Sequence, residues 1–212
     1  MQIAIALYDR FTALDAVGPY EVLSRLPGAE TVFVAEQAGP VTTDTRRVAL
    51  LAEAALADVT APEIVLVPGG PGAGLGDDDG ALLDWLRAVD PTTTWTTSVC
   101  TGSILLAKAG LLNGRRATSH WLALDVLSGL GAEAVHERVV RDGKYVTGAG
   151  VSAGIDMALT LAAEVAGEQV AQAIQLGIEY DPQPPFNAGS PRTAPAETVA
   201  AMRAGSRFTA AG

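Results

Sequence analysis

The sequence TTTWTTSVCTGS at residues 92–103 combines a strand, a sharp turn and the beginning of a helix. Residues 92–99 are rich in β-branched residues and predict a central strand. Small residues surround Cys100, and residues 104–109 predict a helix that Gly110 closes. A strand that reverses into a helix at small residues projects one side chain outward, as in a nucleophile elbow. Cys100 is therefore the first candidate catalytic residue.

A second glycine-rich turn follows another buried strand. Residues 63–67, EIVLV, predict that strand and run directly into residues 68–72, PGGPG. Ligands of an open parallel sheet bind beyond the carboxyl ends of its strands, so we expect the two turns to lie side by side. The N–H groups of Gly69 and Gly70 are candidates for binding substrate or an oxyanion, and an ordinary Gly-Pro turn is the alternative.

Strands and helices alternate over most of the chain. Strands are expected at 2–7, 31–35, 63–67, 92–99, 117–119, 135–141 and 145–148, helices at 13–26, 80–89, 104–109, 121–130, 152–166 and 168–178, and an acidic turn at 77–79. This alternation predicts an α/β fold with a mostly parallel sheet covered on both faces. The composition changes after Tyr180. We expect residues 1–180 to form the catalytic domain, and 181–212 to form a tail, with a helix at 195–204, on the domain or a partner subunit.

Composition and charge narrow the function classes. The net charge of -10 disfavours a nucleic-acid partner. No apolar run reaches the roughly 20 residues that a bilayer requires, and no secretory signal is recognisable, so we expect neither a membrane partner nor secretion. One cysteine and two histidines argue against a disulfide or a structural metal site, and the lone thiol fits a cytoplasmic location.

Each candidate side chain has an ordinary alternative. Cys100 at a helix N-terminus is expected to favour the thiolate, whereas a free cysteine is often a small buried hydrophobic residue. Thr12 and Asp15 have the spacing of a capping box, so Asp15 is either a capping carboxylate or an acid–base partner of the thiol. His120 is a triad base, a helix cap or an interface residue. Thr101 could simply begin the helix.

Four segments together resemble the ThiJ/PfpI superfamily over residues 2–178: VLVPGG at 65–70, SVCTGS at 98–103, ATSHW at 117–121 and TGAGVSAGID at 147–156. The resemblance implies a flavodoxin-like (class I glutamine amidotransferase-like) three-layer sandwich with a mostly parallel central sheet. It also implies a homodimer and a reactive cysteine near an acidic residue of the first helix.

Within that superfamily the details are similar to the isonitrile hydratase branch. Glyoxalase and deglycase members carry glutamate where LDAVGP at 14–19 has Asp15, and the protease-like branch has Cys-His where this chain has Cys100 and Thr101. EYDPQPPF at 179–186 also resembles the hydratases, and the 32 residues after Tyr180 are too few for the helix-turn-helix module of related regulators.

This second resemblance implies a hydro-lyase that adds water to a small-molecule isonitrile and releases an N-substituted formamide. Cys100 would form a covalent thioimidate, and Asp15 would move the protons. Thr101 and the Gly70 N–H would orient the sulfur and polarise the intermediate, with Gly69 and His120 also facing the substrate. No metal or organic cofactor is expected.

Three other functions use the same residues. A glyoxalase or deglycase-like enzyme would act on 2-oxoaldehydes through the same cysteine. A redox or stress sensor would accumulate oxidised Cys100 without turnover. A noncatalytic binding domain would tolerate replacement of Cys100, because the fold does not dictate the function.

Overall fold

The computed structural model describes residues 1–73 and 80–208, so the acidic turn expected at 77–79 and the last four residues of the tail lie outside the described residues. The strands are β1 (Gln2–Ala6), β2 (Glu30–Ala35), β3 (Gly39–Thr42), β4 (Ala49–Ala52), β5 (Ala54–Ala55), β6 (Ile64–Val67), β7 (Trp95–Val99), β8 (Arg116–Ala117), β9 (Glu133–Ala134), β10 (Val139–Asp142) and β11 (Tyr145–Gly148). The α-helices are α1 (Ala13–Leu23), α2 (Gly80–Val89), α3 (Gly102–Lys108), α4 (Leu124–Gly129), α5 (Ala153–Ala166), α6 (Glu168–Gly177) and α7 (Ala196–Ala204).

The central sheet has the order β10-β11-β7-β6-β1-β2-β5. Its pairs are parallel except for the antiparallel pair of β10 and β11. Along β1, Ile3 and Ile5 face one apolar core, while Ala4 and Ala6 face the other. Helices therefore cover both faces, and the predicted three-layer α/β sandwich is confirmed.

Several predicted boundaries differ from the structure: the helix expected at 13–26 ends at Leu23, and three further elements begin later than expected. The strand expected at 92–99 begins only at Trp95, because Asp90–Thr92 forms a 3₁₀ turn with Pro91 inside it. The strand expected at 135–141 begins at Val139. The helix expected at 121–130 begins as a 3₁₀ turn, Trp121–Ala123, before α4.

The expected tail helix is confirmed as α7. The tail begins at a polar cluster in which the Tyr180 hydroxyl donates to Asp156 Oδ2 over 3.1 Å, and Arg138 donates to the same carboxylate. A domain boundary at residue 180 stays a prediction. No helix in the described part of the chain has the length and apolarity needed to cross a membrane.

Candidate active site

The turn between β7 and α3 places Cys100 at the carboxyl end of a central strand. Its φ of 57° is left-handed, a conformation that costs free energy for any residue with a side chain. The Cys100 N–H donates to the carbonyls of Gly148 (3.0 Å) and Ala149 (2.7 Å), and its own carbonyl accepts from Ser103 Oγ (3.2 Å) and Ser119 Oγ (3.0 Å). These four hydrogen bonds hold the strained backbone of the elbow.

The glycine turn after β6 packs directly against this elbow. A Cβ atom on Gly69 would lie 2.5 Å from the Thr101 nitrogen, 2.8 Å from Asp15 Oδ2 and 2.8 Å from Cys100 Cβ. Gly70 has a φ of 149°, which favours glycine. Only glycine fits where α1, the turn after β6 and the elbow meet.

The N–H groups of this turn are directed at side chains. The Gly69 N–H donates to Asp15 Oδ2 over 2.9 Å, and the Gly70 N–H donates to Thr101 Oγ1 over 2.9 Å. This differs from the expectation that both groups face an oxyanion, because a buried carboxylate and a buried hydroxyl each need a partner. In the structure the two glycines position Asp15 and Thr101.

Asp15 lies in the first turn of α1 and is fully buried. The capping-box prediction is wrong, because Thr12 makes no side-chain cap bond and its hydroxyl donates to Asp44 Oδ2 over 3.0 Å. The Asp15 carboxyl points inward, and its Oδ1 has no hydrogen-bond partner in the described part of the chain. Burial raises the pKa of Asp15 from 3.8 to about 7, against the lowering effects of the Gly69 N–H and the Cys100 thiol.

The Cys100 thiol is buried beside this carboxyl. Burial raises the pKa of the thiol, and the negative charge of Asp15 raises it further, while the N–H and hydroxyl of Thr101 lower it. Burial and the charge of Asp15 therefore oppose the preference for the thiolate that the helix N-terminus predicts. The sulfur and the carboxyl form a coupled pair that retains a proton at neutral pH.

His120 lies beside the elbow without joining the coupled pair. Its Nδ1 accepts from the Leu122 N–H over 3.3 Å, so it caps the 3₁₀ turn, one of the expected alternatives. Burial lowers the pKa of His120, which leaves a neutral ring with its proton on Nε2. The ring lines a cavity of about 390 Å³ together with Leu14, Ser119 and Gly150. This geometry suits a hydrogen-bond donor rather than a triad base.

Sequence reasoning missed three residues that support the site. Ser119 holds the Cys100 carbonyl, the Tyr8 hydroxyl donates to the Pro68 carbonyl over 2.8 Å, and Arg207 Nη2 donates to the Gly70 carbonyl over 3.0 Å. Tyr8 follows a strand end, and Ser119 lies within the motif at 117–121. No local sequence pattern indicates Arg207, because its partner Gly70 lies far away in the sequence. Residues 1–73 and 80–208 contain no group of three or more His, Cys, Asp or Glu side chains that could hold a metal ion.

This fold and this elbow define a known class of proteins. The model of the DJ-1/PfpI family matches residues 1–164, and the chain belongs to that family. It is 45% identical over 199 residues to isonitrile hydratase from Pseudomonas putida, covering 94% of this chain and 87% of that relative.

Two solved structures agree with this assignment. A ThiJ/PfpI family protein from Pseudomonas syringae has a TM-score of 0.92 and 41% identity, covering 96% of this chain and 84% of that chain. Drosophila melanogaster DJ-1beta, with a TM-score of 0.73 and 23% identity, covers 85% of this chain and 98% of its own and supports the fold alone. The resemblance to the superfamily and to isonitrile hydratase is confirmed.

Proposed function

We propose that this protein is an isonitrile hydratase, which converts R–N≡C and water into the formamide R–NH–CHO. The observation that carries the proposal is the buried Asp15 carboxyl beside the Cys100 thiol, with Oδ2 held by the Gly69 N–H and Oδ1 without a hydrogen-bond partner among the described residues. Such a pair can take up and return one proton at a single carbon atom. The similarity to isonitrile hydratase from Pseudomonas putida supports the same chemistry.

In the first step, the Cys100 sulfur bonds to the terminal carbon of the isonitrile while Asp15 takes the thiol proton. Asp15 then delivers that proton to the same carbon, which gives the thioimidate R–N=CH–S–Cys100. The S–H group has been added to one carbon atom, so no oxidant or reductant is required. A carboxyl whose pKa lies at about 7 suits this exchange, because it accepts and donates protons near neutral pH.

In the second step, water attacks the thioimidate carbon and Asp15 takes a proton from it. Asp15 passes that proton to the nitrogen, the C–S bond breaks as the added hydroxyl becomes the carbonyl, and the hydroxyl proton returns to the sulfur, so that R–NH–CHO leaves with the Cys100 thiol restored. Thr101, which is hydrogen-bonded to Gly70, orients the sulfur through its N–H and hydroxyl. The cavity beside His120 would accept the R group, with Nε2–H available as a donor.

The remaining parts of the proposal follow the family resemblance. We propose a homodimeric, cytoplasmic enzyme that uses no metal or organic cofactor. The cavity beside His120 also includes Gly189–Arg192 of the tail, so the tail contributes to the surroundings of the site.

The test is formamide release from an alkyl or aryl isonitrile by the wild type, Cys100→Ser and Asp15→Ala, followed by NMR. We expect Cys100→Ser to lose more than about 10⁴-fold of the rate, because covalent catalysis ends with the nucleophile. Methylglyoxal serves as the competing substrate. Lactate without formamide would assign the glyoxalase activity instead, and equal formamide release by Cys100→Ser would exclude a covalent thioimidate.

A further inference from the structure

The tail returns to the glycine turn and places a cation on it. The half-buried Arg207 guanidinium donates through Nη2 to the Gly70 carbonyl over 3.0 Å and through Nη1 to the Pro71 carbonyl. Its central carbon lies 4.4 Å from the centroid of the Phe208 ring, and Phe208 packs on the apolar core that contains residues of β6. The guanidinium is therefore anchored on both sides.

Gly70 connects this cation to Thr101. Its N–H donates to Thr101 Oγ1 over 2.9 Å, and its carbonyl accepts from the same hydroxyl over 3.2 Å as well as from Arg207. The hydroxyl of Thr101 has one proton, which goes either to the Gly70 carbonyl or to the neighbouring Cys100 sulfur. A carbonyl already held by a guanidinium competes less strongly for that proton.

We propose that Arg207 is a positioning residue of the Cys100 site, supplied by the tail. By holding the carbonyls of Gly70 and Pro71, it fixes the turn that positions Asp15 and Thr101 and leaves the Thr101 proton available to the sulfur. This inference goes beyond the proposed function, because it concerns the reactivity of the thiol toward any electrophile.

The positive charge of Arg207 acts in the same direction as its hydrogen bonds, against the negative charges of Asp15 and Asp44, which raise the pKa values of Cys100 and Asp15. Negative charge on Tyr8 or Cys100 favours the charged form of Arg207, while the neighbouring cation Arg10 opposes it. Arg207 is the cation that both interacts electrostatically with Cys100 and holds the glycine turn. Its removal therefore raises the apparent pKa of the coupled pair both electrostatically and through Thr101.

The test is the rate of Cys100 carbamidomethylation by iodoacetamide between pH 5 and pH 10. The proteins compared are the wild type, Arg207→Ala, Arg207→Lys and the control Arg203→Gln, another tail arginine, which stacks on Trp121. We expect Arg207→Ala to react about tenfold more slowly at neutral pH, with its profile about one pH unit higher. The alkylation rate of Arg207→Lys should fall between those of the wild type and Arg207→Ala, and the rate of Arg203→Gln should match the wild type.

Rescue separates positioning from mere support of the fold. Millimolar methylguanidinium should restore the rate of Arg207→Ala, while near-ultraviolet circular dichroism reports whether each variant is folded. A wild-type profile in Arg207→Ala would overturn the inference, and so would a slower rate without a shift of the profile or rescue. Because alkylation needs no isonitrile, a missing formamide product alongside a shifted profile would overturn only the proposed function.

Discussion

Two buried carboxylates lie at opposite ends of the central sheet, and their surroundings differ. Asp90, before the amino end of β7, accepts from Thr96 Oγ1 (2.7 Å) through Oδ1, and from the Tyr145 hydroxyl (2.9 Å) and Lys144 Nζ (3.1 Å) through Oδ2. Asp15, beside the carboxyl end of β7, accepts one backbone N–H and has one oxygen without a partner in the described residues.

The difference separates a structural carboxylate from a reactive one. Asp90 joins a loop to two strands, and both of its carboxylate oxygens have hydrogen-bond partners within the fold. The Asp15 carboxyl is buried with too few hydrogen-bond partners, which costs folding free energy and favours its protonated form. The proton of that form can be exchanged in a reaction. Asp15 lies where an open parallel sheet binds its ligands, beyond the carboxyl ends of the strands.

The largest expected effect is on activity. Asp15→Asn should lower kcat/KM for an isonitrile about 10²- to 10⁴-fold, because the amide cannot exchange the proton of the thiol or of water. Asp90→Asn, the same chemical change at the other end of the sheet, should stay within about threefold at a temperature where it is folded. Steady-state kinetics check both, and equal losses in the two variants would contradict the division of roles.

The next effect is the pH dependence of stability. The folded-state pKa of Asp15 is raised to about 7 from 3.8, so folding favours the protonated form. The stability from this group is complete below pH 4 and is lost as pH rises to about 7, by up to about 4 kcal/mol. The Asp15→Asn variant does not lose stability in this way, because its amide does not ionise. Urea unfolding should show the free energy of Asp15→Asn rising relative to the wild type between pH 4 and 7, and a constant difference would refute the shift.

A smaller effect is expected at the structural carboxylate. Asp90→Asn should lower the free energy of unfolding by about 2–3 kcal/mol, because it removes the charge that pairs with Lys144 and an acceptor of the Tyr145 hydroxyl. Asp84→Asn is the control, because its ion pair with Arg87 is exposed and should contribute less than about 1 kcal/mol. Thermal unfolding at pH 7 compares them, and similar losses would show that burial of Asp90 matters little.

Local patterns predicted the elbow well but not the direction of the groups around it. The turn at Cys100 follows from small residues between a β-branched run and a helix, all within twelve positions. The spacing of Thr12 and Asp15 could not separate a cap from a buried acid, since the deciding contact, the Gly69 N–H, lies 54 residues away. The direction of the Gly69 and Gly70 N–H groups, which were expected to face substrate, likewise depends on residues distant in the sequence.

Long-range contacts explain what the sequence left open. Arg207 reaches Gly70 across 137 positions, a separation at which helical and strand periodicity carry no information. The helix N-terminus is visible in the sequence and favours the thiolate, whereas burial and the charge of Asp15, which depend on the fold, raise the pKa of the thiol. Family resemblance supplied the flavodoxin-like fold, and the alternation of strands and helices supplied only its α/β class.

The central claim is that Asp15 and Cys100 ionise as one pair. The most direct measurement is the pH profile of Cys100 alkylation by iodoacetamide in the wild type and in Asp15→Asn. The rate in the wild type should rise with an inflection near pH 7, where Asp15 becomes able to take the thiol proton, and this inflection should be absent from Asp15→Asn. The same inflection in both proteins, or none near pH 7 in the wild type, would contradict the claim.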